Sequence, residues 1–178
     1  MRIEGSESLA AERAQVFGWL SDPEMLRRCA PGLESLEQSG RDRLEAVLEL
    51  RLPALTGRFE GTVAFLERET PSLLCLEFSG RGRLGFLEGQ VRLDLSEADP
   101  GTRVDYAADV QVGGQVARLG QRMLSGVAKE MAGQFFEALA REAGPDAGRP
   151  TSGPGPLRAL LQLAWRTLLE LRGRSRRG

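Results

Sequence analysis

The sequence predicts an α+β sandwich, a curved antiparallel sheet wrapped around one long helix, with an amphipathic tail tethered behind it. Three observations carry this reading. Five runs between residues 44 and 112 alternate apolar and polar residues with a period of two. A stretch of helical period follows, from Gly114 to Glu142. The composition then changes abruptly to the Gly- and Pro-rich segment Gly144 to Pro156, and again to a short Arg-studded apolar segment, Leu157 to Arg172.

Taken in order, Arg2 to Ser8 reads as a short first strand. Ser8 is placed to cap a helix through Leu20, with Val16, Phe17 and Leu20 on its apolar stripe. Ser21-Asp22-Pro23 opens a second helix, Glu24 to Cys29, and Pro31-Gly32 stops it. The period then becomes two. Leu44, Ala46, Leu48, Leu50 and Leu52 alternate with Glu45, Glu49 and Arg51, and Phe59, Gly61, Val63 and Phe65 repeat the pattern. Leu74, Leu76 and Phe78 continue it, then Leu87 to Leu95 and Val104 to Val112. Successive strands with one wet face predict an antiparallel meander, about seven strands in all, with a turn at Asp99-Pro100-Gly101. The helix after Gly113-Gly114 is expected to run for about 28 residues, or about 42 Å, on the concave face of the sheet.

At 178 residues the chain has room for one domain with a proper core plus an appendage. The net charge of −1 hides an asymmetry. Residues 149 to 178 hold seven Arg and one acid, Glu170, for a net of +6, so the remainder carries −7. A basic end of this kind suits an anionic lipid surface or an acidic partner. The acidic body argues against nucleic acid. There is no His, which removes His-based acid–base and nucleophilic chemistry and His-ligated metals. Cys29 and Cys75 stand alone, which fits a reducing compartment and neither a disulfide framework nor a zinc site. The first residues show no apolar signal core and no run is fit to span a bilayer. The expected location is therefore cytoplasmic.

Gly80-Arg-Gly-Arg-Leu-Gly85 matches G-x-G-x-x-G, but a dinucleotide loop must open a helix, and this one lies between two strand patterns. It is read as a turn, with Arg81 and Arg83 free to meet an acidic partner. Asp105 with Asp109, and Glu45 with Glu49, are read as the solvated face of strands rather than paired catalytic carboxylates. Cys29 lacks a neighbouring base and is read as a packed thiol. Gly120, Gly126 and Gly133 in the long helix, and Gly57, Gly61 and Gly89 on strands, permit two readings: close packing, or space left for a ligand. In the tail, Leu157, Leu160, Leu161, Trp165 and Leu168 share one face, and Arg172, Arg174, Arg176 and Arg177 end it. That helix is expected to lie in the plane of an anionic membrane surface. The rival is a fold-back onto the domain or onto a partner protein.

Several segments in this order resemble the carbon monoxide dehydrogenase G-subunit (CoxG) family of the START/Bet v 1-like (SRPBCC) superfamily. They are Asp22-Pro23-Glu24 with Leu26, Cys29, Pro31-Gly32 and Glu34; Gly57-Arg-Phe-Glu-Gly61; Gly101-Thr102 with Tyr106; and Gly113 to Gly120 running into Gln134-Phe-Phe136. The resemblance implies a helix-grip fold with an apolar pocket under the long helix. It also implies a role beside a carbon monoxide dehydrogenase-like molybdenum hydroxylase, in recruiting the enzyme to the membrane and carrying a quinone. On that basis the expected domain spans residues 1–143, the linker 144–156 and the tail helix 157–178. The expected protein is a non-enzymatic carrier of a hydrophobic ligand, menaquinone above all, with no catalytic residue and no metal, peripheral at the inner face of the cell membrane. The expected pocket lining is Leu50, Phe59, Phe65, Phe78, Val91, Tyr106, Met123, Gly126, Val127 and Met131, with the Tyr106 hydroxyl offered to a quinone carbonyl. Aromatics and flexible Met suit a flat ring with a long tail. The alternatives are a ligand-free assembly or recruitment factor for the same enzyme, and a lipid-transfer or cyclase-like member of the superfamily.

Overall fold

The computed structural model describes residues 1–52 and 55–142. The linker and tail expected at 144–156 and 157–178 lie outside the described residues.

The alternating runs form one antiparallel sheet. Its strands are β1 (Arg2–Leu9), β2 (Leu33–Gln38), β3 (Arg43–Leu52), β4 (Leu55–Glu69), β5 (Leu73–Gly82), β6 (Gly85–Glu97) and β7 (Thr102–Gly114). Their spatial order is β1-β7-β6-β5-β4-β3-β2. Strands β2 to β7 are thus a meander, and β1 pairs with the last strand, Gly5 opposite Tyr106. The sheet has two ends. At one lie the β2–β3, β4–β5 and β6–β7 turns; at the other lie the β3–β4 and β5–β6 turns and the exit from β7.

Helices α1 (Arg13–Ser21) and α2 (Pro23–Cys29) connect β1 to β2. The expected cap at Ser8 is corrected: Ser8 remains in β1, and α1 starts after Glu12, whose N–H donates to the Gln15 side chain at 3.3 Å. The pairing of β1 with β7 extends to Leu9 and holds Ser8 opposite Arg103, so the ladder outcompetes the cap. Asp22 caps α2 as its sequence suggests, accepting from the Glu24 N–H at 3.0 Å, with Pro23 in the first turn.

The long helix is also corrected. A short 3-10 turn, Val116–Leu119, comes first; Gly120 then takes φ +78°, and α3 runs only from Gln121 to Glu142. Positive φ suits Gly and breaks a right-handed helix. The 22 residues of α3 span about 33 Å. Its buried stripe is Leu124, Phe136, Leu139 and Ala140.

Two buried clusters fill the ends of the concave face. The larger, toward α1 and α2, holds Leu9, Val16, Phe17, Leu20, Phe65, Leu74, Leu93, Val104, Phe136 and Leu139. The smaller joins Leu50, Phe59, Val116 and Leu124. Thr102 is fully buried and its hydroxyl donates to the Ala11 carbonyl at 2.7 Å, fixing the start of α1 to the sheet. A register shift between Phe65 and Glu67 leaves Leu66 52% exposed outside the core.

Candidate ligand-binding site

Between the two clusters, the inward side chains are less deeply covered. Val63, Phe78, Val91, Tyr106 and Ala108 of the sheet, with Val127 and Met131 of α3, are only half-buried, although they face the interior. Side chains closed against one another on both sides would be shielded as completely as Leu74 or Leu139 are. Sheet and helix are therefore less tightly closed in the middle than at either end.

This region adjoins a cleft of about 400 Å³ lined by Pro31, Gly32, Leu33, Glu34, Glu49, Leu50, Arg51 and Met131. The Glu49 N–H donates to the Gly32 carbonyl at 2.8 Å, which holds the Pro31-Gly32 loop against β3. The cleft has an apolar floor, Leu33, Leu50 and Met131, and a charged rim. On the rim Arg58 pairs with Glu34 at 2.7 Å and Arg51 pairs with Glu49. The hydrogen bond from Arg51 holds the Glu49 carboxyl below its ordinary value. Its volume falls in the range of small-molecule sites.

The ten expected lining residues are placed as follows. Leu50 and Met131 line the cleft. Phe78, Val91, Tyr106 and Val127 are half-buried toward the interior. Phe59, 2% exposed, and Phe65, 8% exposed, are each built into a packed cluster. Met123 is 43% exposed, and Gly126 is exposed with no atom beyond its chain neighbours and its own helix backbone within 4 Å of where a Cβ would sit. Both fall off the stripe that begins at Leu124; Gly126 lies two residues, roughly 200°, around the helix from it. The expectation that these two border the interior is corrected. Two of the strand glycines are also decided. A Cβ at Gly61 would collide with the Ser79 backbone, and one at Gly89 with the Asp109 carbonyl, so these positions serve close approach of neighbouring strands.

Sequence reading missed Glu7. On β1 it shares the inward parity of Ile3, Gly5 and Leu9, and its Oε2 is buried with no hydrogen-bond partner among the described residues. The alternation of β1 carried the signal, a carboxylate at an inward position. Tyr106 is its neighbour: burial first, and then the Glu7 charge, raise the Tyr106 hydroxyl above the ordinary tyrosine value. The Tyr106 ring stacks on Phe136, centroids 6.1 Å apart. Glu7 and Tyr106 thus place polar atoms at the β1 side of the interior.

Among the described residues, no group of three or more His, Cys, Asp or Glu side chains is placed to hold a metal ion. The G-x-G-x-x-G stretch forms the β5–β6 hairpin, with Gly82 opposite Gly85. Asp105 lies against Arg103 at 2.8 Å on the outer face. Burial raises the Cys29 thiol to about 11, as a packed, unreactive thiol requires. No described helix is long and apolar enough to cross a membrane.

The chain is similar in structure to a conserved protein from Geobacillus kaustophilus, with a TM-score of 0.78 and 31% identity over 83% of this chain and 98% of that one. A START superfamily protein from Mycobacterium smegmatis superposes with a TM-score of 0.60 at 17% identity, over 80% and 96% of the two chains. Ara h 8.0201 superposes with a TM-score of 0.58 at 13% identity, over 80% and 97%. These two likenesses establish a START/Bet v 1-like fold, the helix-grip arrangement of sheet and terminal helix described above. No curated protein sequence matches the chain. The model of one family, the carbon monoxide dehydrogenase G-subunit (CoxG), matches residues 5–144, from within β1 to beyond the end of α3. On that match the chain belongs to the CoxG family of carbon monoxide dehydrogenase subunits.

Proposed function

We propose that the protein carries a hydrophobic small molecule, an isoprenoid quinone such as menaquinone, for a carbon monoxide dehydrogenase-like molybdenum hydroxylase. The observation that carries this reading is the half-buried apolar band between two filled clusters, adjoining the cleft at Leu50 and Met131. Phe78, Val91 and Val127 supply apolar walls for a ring, and the cleft gives a long tail a way out. The Tyr106 hydroxyl is the donor for a quinone carbonyl. Redox chemistry then belongs to the quinone and the partner enzyme, and the protein supplies binding and orientation. The family name supports the choice of partner enzyme. The tail, with Leu157, Leu160, Leu161, Trp165 and Leu168 on one face and Arg172, Arg174, Arg176 and Arg177 at its end, brings the carrier and its enzyme to the inner face of the cell membrane.

The test is mass spectrometry of an organic extract of the purified protein, followed by titration with a menaquinone analogue. A co-purifying quinone and saturable binding are expected. A ligand-free recruitment factor is the second reading, favoured by the burial of Phe59 and Phe65 within packed clusters. A clean extract with no saturable binding selects it.

A further inference from the structure

The charges of the folded domain are divided between the two ends of the sheet. At one end are residues 50–52, 55–59, 79–87 and 110–123, from the close of β3, the start of β4, the β5–β6 hairpin and the turn into α3. These segments contain six arginines, Arg51, Arg58, Arg81, Arg83, Arg118 and Arg122, and no acid, the nearest acids being Glu34, Glu49, Glu60 and Glu88 beside them. At the other end, residues 37–45, 67–72 and 94–105 contain nine acids against four arginines. The acidic net charge of the body therefore conceals a positive pole.

Not all six arginines are free. Arg51 pairs with Glu49, and Arg58 with Glu34 and Glu60. Arg81, Arg83, Arg118 and Arg122 are exposed and form no ion pair among the described residues. The Val116 N–H donates to the Leu84 carbonyl at 3.0 Å, so the turn bearing Arg83 and the turn bearing Arg118 adjoin. Exposed Met123 stands next to Arg122. The N-terminus of α3 points the positive end of its dipole the same way. The cleft lies at this same end, because its residues Leu33, Leu50 and Arg51 are the start of β2 and the close of β3.

We infer that this positive pole is an anionic-lipid docking face of the folded domain itself, separate from the tail, and that it sets the mouth of the cleft against the bilayer. A lipid surface fits better than a protein. The unpaired charge is of one sign, since Glu34 and Glu49 at the cleft are engaged by Arg58 and Arg51, and among the described residues the exposed large apolar side chains are only Leu66 and Met123, too few for the apolar centre of a stable protein interface. Unpaired arginines around one apolar contact suit a sheet of phosphates over hydrocarbon. A lipid-soluble ligand then enters at the cleft without crossing water, a consequence that rests on the carrier reading; the docking itself does not.

The experiment uses the full chain with Trp165→Asp and Leu168→Asp, which suppresses the tail. This protein is co-sedimented with phosphatidylcholine vesicles with and without phosphatidylglycerol, over a range of salt. Binding to the anionic vesicles that weakens with salt is expected. Adding Arg83→Gln, Arg118→Gln and Arg122→Gln is expected to lower the affinity by about fivefold per arginine, about 100-fold together. Arg41→Gln at the opposite end is expected to change nothing, and circular dichroism confirms that each variant is folded. Absence of salt-sensitive binding in the tail variant overturns the inference, as does equal binding by the folded triple variant. Loss of capture of the partner hydroxylase with vesicle binding intact also overturns it, assigning the face to protein. None of these outcomes alters the quinone titration of the parent protein, so failure of the docking face and failure of the carrier reading are told apart.

Discussion

The Tyr106 hydroxyl occupies the space into which a side chain on Gly5 would project. These residues face each other across the β1–β7 ladder, and a Cβ on Gly5 would meet Tyr106 Oη and Cζ and come within 2.8 Å of Cε1. Gly5→Ala must therefore push the ring off its seat against Phe136. The expected cost is about 1–3 kcal/mol, the usual range for overpacking. Urea denaturation measures it. In the titration, the menaquinone analogue should bind Gly5→Ala more weakly at matched folded fraction. Unchanged stability would show that the ring moves freely.

Glu7 offers a second test of the interior. Its buried Oε2 has no partner among the described residues, so Glu7→Leu removes a polar burden of about 1–3 kcal/mol without opening a cavity. The variant should melt at or above the parent's temperature. If the carboxylate helps to hold a ligand head group, analogue affinity should fall while stability rises. A rise in both would make Glu7 an obstacle rather than an anchor.

Gly126 now predicts the reverse of what its place in the sequence suggests. With nothing within 4 Å of its missing Cβ and solvent around it, Gly126→Leu has room on the outer face of α3. A helix former replacing Gly should add up to about 1 kcal/mol. Analogue binding should be unaffected. Lost binding in a folded Gly126→Leu protein would place this face of the helix in the site after all.

Cys29 sets an alkaline limit. Its thiol titrates at about 11 in the folded protein against an unfolded value of 9.0, so the folded state holds its proton longer. Stability is therefore unaffected below about pH 9 and declines as pH rises from there through 11. Cys29→Ala should flatten that decline in a pH series of denaturation midpoints. Iodoacetamide at pH 8 should leave Cys29 unmodified in the native protein and label it once urea is added.

For the tail, Trp165→Asp with Leu168→Asp should weaken sedimentation with anionic vesicles by raising the cost of burying the apolar face. The attraction of the terminal arginines should fade with salt, since exposed charges are screened over about 8 Å at physiological ionic strength. A parent protein that stays in the supernatant at every anionic lipid content would move the helix to a partner groove.

The strands were legible because period-two alternation records a one-sided burial that the real sheet has. The same rule, applied to β1, exposes Glu7, whose significance depends on whether its oxygen finds a partner in three dimensions. Ser8 shows where local signals fail: a good capping residue is claimed by a β ladder whose other strand lies about 95 residues away. Gly120 shows another limit. Apolar residues on both sides keep helical spacing across it, and only its φ of +78° records the break. Moving the start of α3 past that break selects Leu124 for the interior and turns Met123 outward. Gly61 and Gly89 could not be assigned from sequence because what excludes a side chain there is the backbone of an adjacent strand.

The order of strands has a consequence for the birth of the protein. β1 precedes the other described strands in the chain, but its neighbour in the sheet among them is β7, so its partner leaves the ribosome roughly a hundred residues later. Closing so long a loop carries an entropic cost before any contact rewards it, and topologies dominated by distant pairings fold slowly. The meander from β2 to β6 can assemble as it emerges, with both an unpaired edge and the inner face of the sheet uncovered. Completion of β7 and then α3 is what closes that open intermediate, so on the carrier reading a ligand can be enclosed only after α3 has left the ribosome.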